Sequence, residues 1–400
     1  MPSPVPGGGV PVLGEEPRDV MTARTRCPRA ATGAVLGLAL AVAGCSGPGA
    51  SPSPSAAPAS AAAASPAPAS AAPSTAAPAV PSAQASPTVP AAATKVRLAL
   101  DWTPNTNHLA FYVAQDQGYY GDAGIELDIL PYGGTAPESI LAAHQAECGI
   151  SFQDSLTFAV AAGAPIVSVM AILQHTAQEV AVLGSSSITR PRELDGKTYA
   201  GFGYPNEVPT LQAVIRNDGG KGQFDTVTLD TAAYEALYAK RADFVITFSA
   251  WEGIEAGERN IPLRTFRFTD YGFPDFYQVV LACDRDWVAA NPDAARRFVG
   301  ATVKGLELAA ADPDRAAAIL VAHNPGAFDS NPGLPKASAE YMASEGLLVD
   351  AAGKVGIQTL AEWTGYSSFL FKQGLLTDAD GKPLAAAPDY GTLFTNDLLP

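Results

Sequence analysis

The chain reads as an α/β protein of two lobes with a helical C-terminal part, and three observations carry that expectation. From Lys95 to Asp284, short runs rich in β-branched and aromatic residues alternate with helix-length segments, the pattern of parallel sheets. The strand-like runs fall at 96–101, 125–130, 149–152, 166–172, 179–183, 198–201, 226–229, 244–248 and 278–284, more than one sheet holds comfortably. After Asp284 only helical patterns follow.

The N-terminal part has a different character. Met21 opens a basic stretch with Arg24, Arg26 and Arg29, and an apolar run over 30–43 closes on Val42-Ala43-Gly44-Cys45. A basic head, a short apolar centre and small residues at the end are the order of a secretory signal, and the centre is too short for a membrane span. The ending resembles a bacterial lipobox, which would make Cys45 the lipidated first residue; an ordinary signal with a chance cysteine is the plainer alternative. Residues 1–44 are assigned to the signal, with 1–20 read as an over-called start. Residues 45–94 are assigned to the anchor and a disordered tether, because Ala, Pro and Ser dominate without a charge and offer too little apolar bulk to offset chain ordering.

Within the α/β part, the first strand runs into Trp102-Thr103-Pro104-Asn105-Thr106-Asn107-His108. Pro104 cannot donate to a ladder and ends the strand. The turn displays Trp102, Asn105, Asn107 and His108 beyond the strand's carboxyl end, where open α/β sheets bind ligands. An indole face and carboxamides suit a planar heterocycle better than a phosphate or a peptide. A Pro/Asn turn around a core Trp explains the same residues. Gln153 and Asp154 follow another strand and open a helix, whose free N–H groups can take a polar group or simply be capped.

In the second half, the strand at 198–201 leads to Tyr204 and Glu207. Gly201 and Gly203 begin a dinucleotide fingerprint that lacks its third glycine. Glu207 could accept from an exocyclic amine or be a solvated helix-start acid. The strand at 244–248 ends at Trp251 and Glu252, again an aromatic and an acid. Tyr271 precedes the second crossing with Phe273 and Phe276; these wall a cleft or pack a hinge. Asn291-Pro292 and Asp312-Pro313 read as caps with proline at the first helical position, and 355–372 as an amphipathic helix. The near-repeat of Gly346–Lys354 at Gly374–Lys382 marks two helix ends with Asp/Gly turns, not a solenoid or a calcium loop.

The words LDWTPNTNH (100–108), GYYGDAGIELDI (118–129), AWEGIEA (250–256) and DYGFP (270–274) resemble the solute-binding proteins of ABC importers that carry thiamine pyrimidine precursors. That family shares its fold with the enzyme that makes the hydroxymethylpyrimidine unit. The resemblance covers Lys95 to the C-terminus, and the first word is the specific one; the others occur among riboflavin, alkanesulfonate and nitrate binders too. It implies a type II periplasmic-binding-protein fold with a discontinuous first lobe (95–183 plus 279–400), a second lobe (184–278) and two hinge crossings, near 182–187 and 277–281. It also implies a monomer that hands its ligand to permease and ATPase subunits at the extracytoplasmic face of the membrane, held there through the lipid anchor.

Formal charge of −15 disfavours nucleic acid and anionic membrane surfaces as partners. Cys148 and Cys283 are the two cysteines of the α/β part; two buried thiols are expected, with a disulfide as the alternative. The four histidines are far apart and no CxxC occurs, so no metal and no cofactor are expected. The competing class is a pyridoxal-phosphate-consuming pyrimidine synthase. It needs a Schiff-base lysine, yet none lies between Lys95 and Lys197, and that enzyme's cysteine-rich motif is absent. A binder rather than an enzyme is expected; an adhesive lipoprotein with an incidental crevice is the third class.

Overall fold

The computed structural model describes residues 93–400; the expected signal segment, Cys45 and the expected tether up to residue 92 lie outside the described residues. Ten strands occur among the described residues. They are β1 (Thr94–Ala99), β2 (Ile125–Leu130), β3 (Cys148–Ser151), β4 (Ile166–Ala171), β5 (Gln178–Leu183), β6 (Thr198–Gly201), β7 (Asp225–Thr228), β8 (Val245–Phe248), β9 (Leu263–Arg267) and β10 (Val280–Asp284). The first sheet has the order β2-β1-β3-β10-β4, with β1 parallel to β2 and β3 and with β10 antiparallel to β3 and β4. In the second, β5 lies antiparallel between β8 and β9, and β6 is parallel to β7. A bridge between Tyr199 and Phe244 joins these pieces, so the layer reads β7-β6-β8-β5-β9. Each lobe thus has one antiparallel strand in its next-to-last place, contributed by a chain segment arriving from the other lobe.

That arrangement moves a boundary. β5, expected in the first lobe, belongs to the second sheet, so the crossings are the segments 172–177 and 268–279 instead of one near 182–187. The run Glu179-Val180-Ala181-Val182-Leu183 suits either sheet, and only long-range pairing assigns it. β9 had no sequence signal because it is an edge strand in which Phe266 alone is buried. The C-terminal part is shared between lobes: Tyr366 and Leu370, on the helix Leu360–Lys372, pack with Val180, Phe273 and Phe276 of the second core. Helix starts follow local chemistry. Pro292 and Pro313 each sit in the first turn, and the Asp312 carboxylate accepts the Arg315 N–H at 3.1 Å. Asn291 does not cap; its amide donates to the Trp287 carbonyl at 3.1 Å. No helix among the described residues is long and apolar enough to cross a membrane.

The antiparallel return of β10 sets Cys283 directly opposite Cys148 of β3, and the two form a disulfide. The expected buried thiols are corrected on that point: facing positions on neighbouring strands bring the sulfurs within bonding reach, although the residues are 135 apart in sequence. The helices Leu109–Asp116 and Pro292–Ala311 cover the first sheet, and they approach closely because position 305 is glycine. A Cβ there would collide with the Ala110 carbonyl oxygen, a backbone atom that cannot swing aside. Gly305→Val should therefore destabilise the protein by about 3 kcal/mol, measured by urea unfolding; an unchanged midpoint would contradict this packing.

Candidate functional site

A cleft of about 660 Å³ runs between the two sheets and is lined from both. From the first lobe come the turns after β1, β2 and β3: Asp101, Trp102, Asn105 and Asn107; Tyr132 and Glu138; Asp154 and Ser155. From the second come Phe202, Tyr204, Asn206 and Glu207 after β6, Asp230 and Tyr234 after β7, and Trp251, Glu252, Glu255 and Arg259 after β8.

The turn after β1 is built around two residues with different jobs. Asn105 is the N-cap of the short helix Thr106–His108: its side chain accepts the Asn107 N–H at 2.8 Å and donates to the Thr103 carbonyl at 3.0 Å. His108 is fully buried and does not line the cleft. Its Nδ1 accepts the Asn105 N–H at 3.3 Å, which leaves the proton on Nε2 to donate to Asp101 at 2.7 Å. His108 therefore fixes the turn, and the turn leaves Trp102 with 44% of its surface exposed at the cleft. The Trp102 ring lies 5.1 Å from that of Tyr132, an aromatic wall contributed by two strand ends. Trp102→Ala should lose a stacking contribution of about 0.5–1.5 kcal/mol for a flat ligand beyond the buried area, measured by calorimetry. Unchanged affinity would remove this wall from the site.

Gln153 and Asp154, adjacent in sequence, part ways. Gln153 is buried behind the cleft, where it accepts the Tyr277 N–H at 2.9 Å and donates to the carbonyls of Glu362 and Trp363, each at 3.2 Å. It ties a helix start to the second crossing. Asp154 faces the cleft and accepts from Asn206 of the other lobe at 2.7 Å, while Asn206 also donates to the Tyr366 hydroxyl at 2.8 Å. Burial pushes the Asp154 carboxyl up from its ordinary range.

Glu207 is 7% exposed and accepts the Phe202 and Gly203 N–H groups at 3.2 and 3.1 Å. It thus folds the turn that carries Tyr204, which is 66% exposed on the cleft rim. Gly201 has no room for a Cβ beside the Glu207 carboxylate and the Tyr199 ring. Trp251 and Glu252 sit in a π-helical turn, Ser249–Gly253, a widened geometry that recurs at functional sites. One carboxylate oxygen of Glu252 is buried with no hydrogen-bond partner among the described residues. Burial raises the Glu252 carboxyl to about 7. Tyr271 lies elsewhere: its ring packs edge-on against Phe266 in the second core, and Phe273 and Phe276 are buried beside it. The hinge-packing alternative holds for all three.

Sequence reading placed Tyr132 in a strand-end loop but gave it no role, and it missed Glu138, Asn206 and Tyr234. Glu138 is a first-turn acid that accepts from the Ser151 hydroxyl and is pushed up by burial. Its signal, Pro137-Glu138 after a Gly-Gly turn, is that of any helix start. The described lining sets Asp101, Glu138, Asp154, Glu207, Asp230, Glu235, Glu252 and Glu255 against Arg259 alone and includes no lysine. Arg259 is itself held by Glu235 at 2.6 Å. Such a cleft attracts amines and cations and repels anions.

Two α/β lobes joined by two crossings, with an aromatic and acidic cleft between them, define a protein of the two-lobed periplasmic-binding-protein class. Its fold resembles that of the alkanesulfonate-binding protein of Xanthomonas axonopodis pv. citri bound to MOPS, with a TM-score of 0.58 at 15% identity over 76% of this chain and 99% of that one. By sequence the chain belongs to the family described as NMT1/THI5 like, which matches residues 105–316. It is 28% identical over 231 residues to the formylaminopyrimidine-binding protein of Halalkalibacterium halodurans, covering 56% of this chain and 69% of that protein. It is 25% identical over 239 residues to a 4-amino-5-hydroxymethyl-2-methylpyrimidine phosphate synthase of Saccharomyces cerevisiae, covering 56% and 69%.

Proposed function

We propose that this chain is the extracytoplasmic solute-binding lipoprotein of an ABC importer, and that its solute is a small planar amine-bearing heterocycle of the thiamine pyrimidine precursor type. The observation that carries the reading is the pairing, in one interlobe cleft, of the Trp102–Tyr132 wall with the unpartnered buried carboxylate oxygen of Glu252. Stacking supplies affinity for a flat ring, and an unsatisfied acceptor demands a donor such as an exocyclic amine. The formylaminopyrimidine-binding relative supports the same ligand class. The eight-to-one excess of acids in the lining favours this class over sulfonate or nitrate.

Binding, and not catalysis, is the reading for this cleft although synthases stand among the relatives. A Schiff-base step needs an amine nucleophile, and the described lining offers no lysine. Permease and ATPase subunits are the proposed partners of a monomer. Cys45, outside the described residues, is proposed as the lipidated anchor on the residue order of 21–45.

Thermal unfolding of the full chain against a panel tests the reading. Formylaminopyrimidine, hydroxymethylpyrimidine, riboflavin, an alkanesulfonate and nitrate form the panel. An aminopyrimidine at a hundred times its Kd should add about 2.7 kcal/mol of stability, and the anions nothing. Stabilisation by the sulfonate alone would reverse the assignment; no response to any compound would favour the adhesive class.

A further inference from the structure

We propose that His175, Asp275 and Glu362 form a zinc site at the hinge, outside the ligand cleft. The three residues come from separate segments: His175 from the first crossing, Asp275 from the second, and Glu362 from the first turn of the C-terminal helix Leu360–Lys372. One donor atom of each lies within 4.8 Å of the other two, and His175 Nδ1 stands 2.6 Å from Asp275 Oδ2. Donors bound at about 2.0–2.1 Å to a tetrahedral ion are about 3.3 Å apart, so an ion would open the His175–Asp275 contact slightly and draw Glu362 inward.

The surroundings prepare the set. Asp275 Oδ1 accepts the Thr176 N–H at 3.0 Å and the Phe276 N–H at 2.9 Å, which aims Oδ2 outward at the imidazole. The Glu362 carboxylate accepts no hydrogen bond among the described residues, although it is half-buried and close enough to Asp275 for the like charges to repel. A shared cation removes that repulsion. A cavity of about 160 Å³ borders His175 and Asp275, which gives an ion and its water access from solvent. One imidazole with two carboxylates is a nitrogen–oxygen set suited to zinc, whereas calcium and magnesium take oxygen ligands; the fourth position falls to water.

The second three-residue histidine–carboxylate cluster among the described residues, His144 with Asp284 and Asp286, is an internal control. There Asp284 caps a helix through the Asp286 and Trp287 N–H groups, and His144 and Asp286 are exposed. His144 Nδ1 stands 2.6 Å from Asp284 Oδ2, but the exposed Asp286 carboxylate faces water. At the hinge, an ion would join both crossings to the C-terminal helix and so restrain the relative movement of the lobes.

Zinc titration of the tag-free, chelator-treated full chain by calorimetry and thermal unfolding tests the site. One zinc per chain and a raised unfolding temperature are expected. His175→Gln, Asp275→Asn and Glu362→Gln should each weaken binding at least about tenfold, and His144→Gln should not. Asp275→Asn retains an oxygen for the two backbone bonds, and the Thr359 cap uses only the Glu362 N–H, so folding is preserved; circular dichroism checks it. Equal zinc uptake by wild type and all three hinge variants, absence of uptake by wild type, or loss in His144→Gln instead overturns the proposal. The readout is independent of which heterocycle the cleft binds.

Discussion

Joint replacement of Cys148 and Cys283 by alanine should lower the stability of the oxidised protein by up to about 5 kcal/mol, the largest single effect expected here. The bond joins residues 135 apart, so cutting it releases a long loop in the unfolded chain, and the chain-entropy estimate grows with that length. It also fastens β10 to β3, the contact by which the chain returns to its first sheet after building the second lobe. Urea unfolding with and without reductant measures the effect. Reductant should bring the wild type to the midpoint of the double variant and leave the variant unchanged. Coincident midpoints for oxidised wild type and variant would show that the bond contributes nothing.

Glu252→Gln should weaken binding of a neutral aminopyrimidine by about 1.5–3 kcal/mol, roughly ten- to a hundredfold, with little change for a flat ligand that lacks an amine. The substitution replaces a charge-assisted acceptor and presents an NH₂ group to the ligand's own donor. Glu252 also gives the free protein a pH signature. Its folded carboxyl is raised to about 7, above the unfolded range, so the native state binds the proton more tightly. The Glu252 contribution to stability is therefore fully present below the unfolded value near 4.5. It falls as pH rises toward 7 and is flat above. Glu252→Gln should remove that slope and be the more stable form at pH 8. Identical slopes in wild type and variant would show that the carboxylate ionises without strain. Because the ionised form is the better acceptor, affinity for a neutral amine should climb over the same interval.

Much of the site was legible because it lies at strand ends. Trp102, Asn105, Tyr204 and Glu252 each follow a β-rich run directly, and in an α/β layer the carboxyl ends of strands open on one crevice. What the residues do there was not legible. His108 and Gln153 carry the same polar groups as ligand contacts, but their partners are Asp101 in one case and the backbone of residues 277, 362 and 363 in the other. Glu207 turned out to organise its own loop, because the N–H groups of Phe202 and Gly203 lie within its reach.

The sequence by itself determined the alternation of strand and helix, the first-turn proline at Pro292, the cap at Asp312, and the turn at Pro104, since each depends on residues a few positions apart. Its net charge disfavoured nucleic acid and anionic membrane surfaces, and its aromatic-plus-polar junctions pointed to a small planar heterocycle. Tertiary structure alone decided the sheet that β5 joins, the pairing of Cys148 with Cys283, the contact of Asp154 with Asn206 across the lobes, and the meeting of His175 with Asp275 and Glu362. These partners are 52 to 187 positions apart (362 − 175 = 187), apart from β5, whose apolar run fits either sheet equally well. Local propensity carries no information about which distant segment arrives alongside. The free energy that selects it comes from pairing and burial formed only when both lobes are assembled.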